Sequence, residues 1–124
     1  MTAANHTITA EQGATWAQVF TCEDSAGELV DLTGWTARLQ VRDSYSSEIK
    51  LLDLTTENGG ITLGGAAGTV SVLASATVMA AITVPDIPGA PPTRSCVYDL
   101  ELINGSVVER LLNGKFLITR EVTR

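Results

Sequence analysis

The sequence contains few of the residues from which catalytic and metal sites are usually built. Its 124 residues include a single histidine, His6, and two cysteines, Cys22 and Cys96. Ser-His-Asp and Cys-His catalysis need a histidine beside the nucleophile, and a structural zinc needs about four cysteine, histidine or carboxylate ligands. We therefore expect a protein that is not an enzyme and that holds no cofactor and no metal.

Positive charge and long apolar runs are also scarce. The 14 acidic residues outnumber the 8 basic ones, which gives a formal net charge of −6, and the basic residues are scattered singly. Such a chain repels phosphate backbones, which argues against nucleic acid as a partner. No run approaches the roughly 20 apolar residues that span a bilayer. The N-terminal region lacks the basic and apolar parts of a secretory signal, so we expect no membrane contact and synthesis in a cytoplasm.

The apolar residues that are present favour strands. Aromatic residues make up 5% of the chain and hydrophobic residues 44%, mostly Val, Ile, Leu and Ala. This composition is typical of side chains that interdigitate between two sheets. At this length we expect one domain, over residues 15–124, preceded by an N-terminal arm over residues 1–14.

Two Asn-Gly pairs interrupt the last third of the chain. Asn-Gly supplies the positive φ angles of a two-residue hairpin turn, so an Asn-Gly flanked by apolar alternation predicts a hairpin. Asn104-Gly105 and Asn113-Gly114 would then join three strands, over residues 96–103, 106–112 and 115–122.

Alternation between apolar and polar residues is clearest over residues 35–42. Trp35, Ala37, Leu39 and Val41 fall on one face, and the residues between them fall on the other. Further short strands lie between Gly-rich turns, and residues 75–82 have the spacing of one or two helical turns over an open end of the fold. The sequence therefore predicts an all-β, antiparallel, Ig-like β-sandwich with one short helical segment near residues 75–82.

Three segments are candidate contacts with a partner. All four prolines fall within residues 85–92, where the chain favours an extended loop, and long loops often carry function. Residues 7–10 alternate without charge, as in an arm or a first edge strand, and Tyr45 lies in a polar loop over residues 43–47. The candidate residues are Thr7, Ile8, Thr9, Tyr45, Ile87, Pro88, Pro91 and Pro92.

Asp99 and Glu101 share one face of a predicted strand. A glycosidase needs two carboxylates across a cleft, and these two have a suitable spacing. However, Tyr98, Leu100 and Leu102 occupy the opposite face of the same strand. Because the apolar face turns toward the core, we expect both carboxylates to point to solvent as part of a charged outer surface.

The order Cys22, Trp35, Cys96 is similar to the Cys…Trp…Cys order of an immunoglobulin domain, in which a disulfide joins two sheets beside a buried Trp. The tyrosine that such domains carry two residues before the second Cys is replaced here by Arg94. A chain made in a cytoplasm generally keeps its thiols reduced. We therefore expect an immunoglobulin-like architecture without a family relationship to immunoglobulin domains. We also expect two free, buried thiols close to one another across the core.

Several longer stretches resemble small structural domains of tailed bacteriophages. One is a hydrophobic-Thr-Gly-aromatic opening, residues 32–35 (LTGW), followed by an alternating strand that bears arginines. The Asn104-Gly105 turn and the closing strands look like the second half of the N-terminal domain of phage baseplate upper proteins. The stretches that carry the resemblance are residues 31–42, 51–61, 97–102, 110–115 and 118–124.

The resemblance implies a β-sandwich that joins virion proteins and catalyses no reaction. We expect a homo-oligomer in the virion, assembled in the bacterial host cytoplasm and located in the tail, the baseplate or the fibre-attachment region. Its uncharged arm would add as a strand to the edge of a partner's sheet. Two alternatives remain open: a host-surface or carbohydrate-binding module, for which Tyr45 is the main exposed ring, and a capsid decoration or head fibre adaptor.

Overall fold

The strands follow from the apolar alternation of the sequence and form two packed sheets. A computed structural model describes residues 4–123 of the chain. Its elements are β1 (Ala4–Asn5), β2 (Ile8–Glu11), β3 (Trp16–Thr21), β4 (Thr36–Arg42), β5 (Leu52–Thr55), β6 (Ile61–Leu63), a 3₁₀ turn (Gly65–Ala67), β7 (Thr69–Ala74), α1 (Ala76–Ala80), β8 (Thr93–Asn104) and β9 (Val107–Thr119).

The large sheet has the order β1-β9-β8-β4-β5, with β2 also paired to β9, and the small sheet has the order β3-β7-β6. All pairs are antiparallel except those that β1 and β2 make with β9. The small sheet packs against the large one, and β8 and β9 form the hairpin of the large sheet, as in an Ig-like sandwich. The predicted fold class is confirmed.

The core consists of the inward-facing residues of both sheets. Strand β4 follows the predicted alternation, because Ala37, Leu39 and Val41 are buried between exposed or half-buried neighbours. The Trp16 ring of the small sheet meets Phe116 of the large sheet edge-on, with ring centroids 5.1 Å apart. Trp35 is only half-buried, since it precedes β4 and packs against the margin of the core.

The short helix is also present. Ser75 caps α1 by accepting a hydrogen bond from the backbone N–H of Val78 at 3.2 Å, and Met79 is buried beneath the helix. Val78 of the same helix is exposed. A helix of five residues presents only one narrow face to the core, so Met79 alone reaches it.

Only the first Asn-Gly pair lies at a hairpin turn. The β8–β9 hairpin is present as predicted, but its two turn residues are Gly105 and Ser106, because Asn104 is the last residue of β8 and pairs with Val107. Gly105 has a φ of +60°, whereas among residues 4–123 only glycines have a positive φ, so Asn104 does not take the predicted turn conformation. The second turn was predicted wrongly, because Asn113 and Gly114 lie inside the 13-residue strand β9, opposite Asp99 and Tyr98. The N-terminal segment pairs with β9 at residues 112–113 and 116–119, on both sides of Gly114, and β9 continues through this Asn-Gly pair.

Gly114 is required for another reason. A Cβ atom there would overlap the carbonyl group of His6, and the N–H of His6 donates to the carbonyl of Asn113 at 2.9 Å. The Tyr98 hydroxyl donates to the His6 carbonyl at 2.7 Å from within the core. The second Asn-Gly pair therefore lies beside His6, where the N-terminal segment runs close along β9 between β1 and β2.

Residues 4–11 are an edge strand of the large sheet. Ile8 pairs with Phe116 and Glu11 with Thr119, and the Ile8 and Ala10 side chains are buried in the core. Of the two interpretations of this segment, an arm or a first edge strand, the structure shows the second for these residues. Addition of this strand to a partner's edge would require it to leave β9 and expose Ile8.

The two cysteines are free and buried. Cys96 pairs with Phe116, whose ring contacts Trp16 at the start of β3. Cys22 follows the other end of β3, six residues beyond Trp16. The proximity of the two thiols across the core stays a prediction.

Candidate functional site

The outer face of the large sheet carries a row of opposite charges. Arg38 lies opposite Glu101 in the register of β4 and β8, and its Nε is 2.8 Å from the Glu101 Oε1. Gln40 lies opposite Asp99 on the same face. These side chains line a surface cavity of about 420 Å³ together with Arg42, Ser44, Tyr45, Val97 and Tyr98. The carboxylates point outward, as predicted, but arginines partly cover them.

A β-bulge places a third arginine on this face. The pairing of β8 with β9 shifts register between Leu100 and Glu101, so that Glu101 lies opposite Arg110. The extra residue, Leu111, packs partly against the core. Without the bulge, Leu111 would take the place opposite Glu101. The bulge thus brings the Nε of Arg110 to 3.6 Å from the Asp99 Oδ2.

The environment of Asp99 favours its neutral form. Burial raises the pKa of this carboxyl and the nearby Glu101 raises it further, whereas Arg110, Arg38 and Arg42 act in the opposite direction. A pair of carboxylates flanked by arginines and open to water is a solvated charge network. It has no enclosed cleft in which a glycosidic bond would lie between an acid and a base.

Tyr45 stands at the rim of this cavity. Its side chain is 80% exposed and lies in the predicted polar loop over residues 43–47. Arg42 fixes the loop from below, because its Nη1 donates to the Ser47 carbonyl at 2.7 Å and its Nη2 to the Gln40 Oε1 at 3.0 Å. An exposed phenol above a fixed loop can stack on a flat ligand.

The proline-rich loop follows α1 and leads into β8. Ile87 is 59% exposed, and Pro88, Pro91 and Pro92 are exposed as well. The loop is tied to the end of β9, since Arg120 makes a 2.7 Å ion pair with Asp86 and donates its N–H to the Pro92 carbonyl at 2.7 Å.

Arg94 connects the proline-rich loop to the loop that carries Tyr45. Its Nε and Nη2 bind the two carboxylate oxygens of Asp43 at 2.9 and 2.6 Å, and its Nη1 donates to the Thr83 carbonyl at 2.6 Å. These bonds hold the pKa of the Asp43 carboxyl below its usual value. The Tyr45 loop and the segment before β8 therefore lie at one end of the sandwich.

The third group of candidates, in the N-terminal segment, does not form one surface. Thr7 and Thr9 are exposed, whereas Ile8 is buried in the core between them. Ile8 contributes to folding and is not accessible to a partner.

A surface that sequence reasoning did not single out is the outer face of the small sheet. Within the described part of the chain, the strands β3, β6 and β7 place no charged side chain there. Val19 is 62% exposed and Leu73 is 52% exposed. The face consists of Ala17, Val19, Thr21, Thr62, Thr69, Ser71 and Leu73. The sequence could have predicted this uncharged face, because every outward position in the alternating runs 16–21 and 69–74 is uncharged.

The side chains that could react are either dispersed or passive. His6 is exposed and contacts the Phe20 ring edge-on at 6.0 Å. Burial raises the pKa of the Cys96 thiol to about 11 and also raises that of Cys22, so both thiols stay protonated at neutral pH and are poor nucleophiles. Over residues 4–123 no group of three or more His, Cys, Asp or Glu side chains is placed to hold a metal ion. No helix in the same range has the length and apolar character to cross a bilayer.

Comparison with known proteins gives little beyond the fold. No protein-family model and no curated protein matches the chain. A similar solved structure is a VGSC beta subunit, studied by photo-crosslinking for its multimeric cell-adhesive interactions. It has 14% sequence identity over 94% of this chain and 92% of the other, with a TM-score of 0.43. At that identity and score the likeness carries no information on function.

Proposed function

We propose that this protein is a non-enzymatic structural component of a bacteriophage virion, an oligomer in the tail, baseplate or fibre-attachment region that docks other virion proteins. The proposal rests on the resemblance of residues 31–42 and 97–102 to phage structural domains, together with one structural observation. That observation is the uncharged outer face of the small sheet, where Val19 and Leu73 are more than half exposed.

An uncharged face is unusual for a chain of net charge −6. The outer face of the large sheet carries Arg38, Arg42, Asp99, Glu101 and Arg110, which keep it solvated. The small sheet has only hydroxyl and apolar groups facing outward, and exposed apolar area with a polar rim is characteristic of protein contacts. Docking to other proteins through this face accounts for the uneven distribution of charge.

Particle labelling tests the proposal. Purified phage particles that carry an epitope-tagged copy should bind antibody-gold at the tail, baseplate or fibre-attachment site, as seen by electron microscopy. Label on the head surface would support a capsid decoration or head fibre adaptor instead. Particles without the protein, in a lysate where it is abundant, would contradict a structural role.

A point variant tests the docking face. Leu73→Lys should reduce incorporation several-fold, because it places a charge in the middle of the uncharged surface. Val107→Lys is a matched control, since Val107 is 50% exposed at the opposite sheet near the β8–β9 turn. Equal incorporation of the two variants would show that the small sheet is not the docking face.

One observation favours a second function, that of a host-surface carbohydrate module. Tyr45 is 80% exposed at the rim of a cavity lined by Gln40, Asp99 and Glu101, a combination of a stacking ring and hydrogen-bonding groups that suits a sugar. Titration with host-surface glycans tests it. Saturable binding that is lost in Tyr45→Ala would support this function, and an identical response of the variant would remove it.

A further inference from the structure

The small sheet has an open edge at β3. This strand pairs only with β7, in the order β3-β7-β6. The N–H of Cys22 donates to the Gly68 carbonyl at 2.7 Å. This hydrogen bond determines which residues of β3 direct their backbone groups toward β7. Because hydrogen-bonded pairs alternate along an antiparallel ladder, Gln18 and Phe20 bond to β7, and the backbone groups of the residues between them point away.

The outward-pointing backbone groups belong to Ala17, Val19 and Thr21. The pairing of β6 with β7 supports this assignment independently. Leu73, which lies opposite Ala17, donates its N–H to the Gly60 carbonyl at 2.9 Å, so its backbone groups point away from β3. None of the three has a backbone hydrogen bond to another part of residues 4–123. They form a row of donors and acceptors that another strand can use.

This edge has none of the usual features that prevent pairing. Natural edge strands carry charges, prolines or bulges that discourage another strand. Strand β3 reads WAQVFT, with no charge and no proline, and it pairs with β7 without a register shift. By contrast, residues 4–11 pair with residues 112–119 of β9 and so cover that part of the large sheet's edge.

We propose that β3 pairs with β3 of a second copy, antiparallel about a twofold axis at Val19. Val19 would lie opposite Val19, and Ala17 opposite Thr21, so that about six backbone hydrogen bonds form and the two small sheets join into one. The outward-pointing backbone groups allow this register, because they belong to residues 17, 19 and 21, which are placed symmetrically about position 19.

The side chains at this edge allow a second copy to pair with it without bringing like charges together. Each copy carries a net charge of −6, so two copies repel one another wherever their acidic surfaces approach. The outward residues at β3 are Ala17, Val19 and Thr21, and across a twofold axis they meet only themselves. The symmetric contact thus brings together neutral, small and β-branched side chains, which pair well across strands.

Sedimentation equilibrium of the full chain tests the pairing. We expect a monomer–dimer equilibrium for the native protein. Val19→Lys should raise the dissociation constant by about tenfold or more, because it places two ammonium groups directly opposite each other. Val108→Lys is the control, since Val108 is 50% exposed on β9 and should leave the equilibrium unchanged. A native protein that stays monomeric, or a dimer that Val19→Lys does not weaken, would overturn the proposal.

A cysteine variant tests the register and does not depend on the folding of the lysine variant. Val19→Cys should form a disulfide-linked dimer under mild oxidation, because the twofold axis places the two Cα atoms about 5.5 Å apart. The native Cys22 and Cys96 are buried, and Val108→Cys serves as the exposed control. Equal crosslinking of both variants would contradict pairing at Val19.

This inference deepens the proposed function, since it names the contact through which the oligomer forms. The two can fail separately. A dimer through Val19 in a protein that is absent from particles would overturn the virion role alone. A monomer that is nevertheless found in particles would overturn the β3 pairing alone.

Discussion

The two sheets of the sandwich differ both in the charge of their outer faces and in the cover of their edges. The large sheet presents arginines and carboxylates in register, and its long edge at β9 is covered by residues 4–11 of the same chain. The small sheet presents hydroxyl and apolar side chains, and its longest edge, at β3, has no partner among residues 4–123.

The two sheets therefore differ in how much charge they present at the surface and in how far the chain pairs their longest edges. Charged pairs on an outer face stay hydrated and favour a surface without contacts. An uncharged face beside an open edge has unpaired backbone groups and exposed apolar area, both of which favour association. The large sheet supplies most of the buried apolar residues. We infer that the small sheet supplies the contact with another chain.

The largest expected effect comes from opening the covered edge of the large sheet. In Gly114→Ala the new methyl group overlaps the His6 carbonyl, and the positive φ of +150° is unfavourable for alanine. Overpacking together with backbone strain should lower the free energy of unfolding by about 3 kcal/mol. Urea denaturation measures it, and hydrogen exchange of residues 4–11 should accelerate because these strands leave β9.

Gly105→Ala is the matched control for Gly114→Ala. It changes the other Asn-Gly pair, at a φ of +60° but with no atom within 4 Å of the new Cβ, and should cost about 1 kcal/mol. Equal costs for the two variants, or unchanged exchange of residues 4–11 in Gly114→Ala, would show that close approach of His6 is unimportant.

A smaller effect is expected from the Tyr98 hydroxyl, which holds the same N-terminal segment beside β9. Tyr98→Phe removes the donor to the His6 carbonyl while keeping the buried ring, and should lower the free energy of unfolding by about 1 kcal/mol. Tyr45→Phe, at an exposed position, should change it by less than about 0.5 kcal/mol. The difference between the two variants in urea denaturation checks the prediction. Equal stabilities of the two variants would mean that water replaces the lost hydrogen bond and that Tyr98 does not hold the N-terminal segment on β9.

The smallest effect concerns pH and the ion pair between Asp43 and Arg94. Hydrogen bonds from Arg94 lower the pKa of Asp43 in the folded state, so the folded state favours the ionised carboxyl. The resulting stability is present above the unfolded pKa of about 4 and is lost as the pH falls through the lower folded value. Because Asp43 is largely exposed, Asp43→Asn should lower the free energy of unfolding at pH 7 by only about 0.5–1 kcal/mol.

At pH 3 the variant and the native protein should differ less than at pH 7. Asp99, whose pKa is raised, acts in the opposite direction and is present in both proteins, so the comparison of the two isolates Asp43. Urea titrations at the two pH values measure the difference. A gap that does not narrow at low pH would show that Arg94 does not bind the Asp43 carboxylate in solution.

The fold class was predictable because local patterns repeat along the chain. Alternation over residues 35–42 gave the inward face of β4, the Asn104-Gly105 turn gave the β8–β9 hairpin, and residues 75–82 gave α1 with its cap at Ser75. Each of these depends on residues near one another in sequence, and the physical rules that link them act over one turn or one strand.

The parts that failed depend on contacts between distant residues. Asn113-Gly114 has the local signature of a turn, but His6 packs against it and keeps β9 continuous. The Arg110–Asp99 contact depends on a bulge at Leu111 that apolar alternation does not show.

The sequence by itself determined that this protein is a β-sandwich with an acidic surface and few reactive side chains, because composition and period-two alternation decide which residues leave water. Only the tertiary structure decided which edge is covered and which is open. Backbone N–H and C=O groups are the same in every residue, so whether they find a partner is set by the arrangement of whole strands. The N-terminal segment pairs with residues 112–119 of β9, whereas β3 pairs only with β7 among residues 4–123.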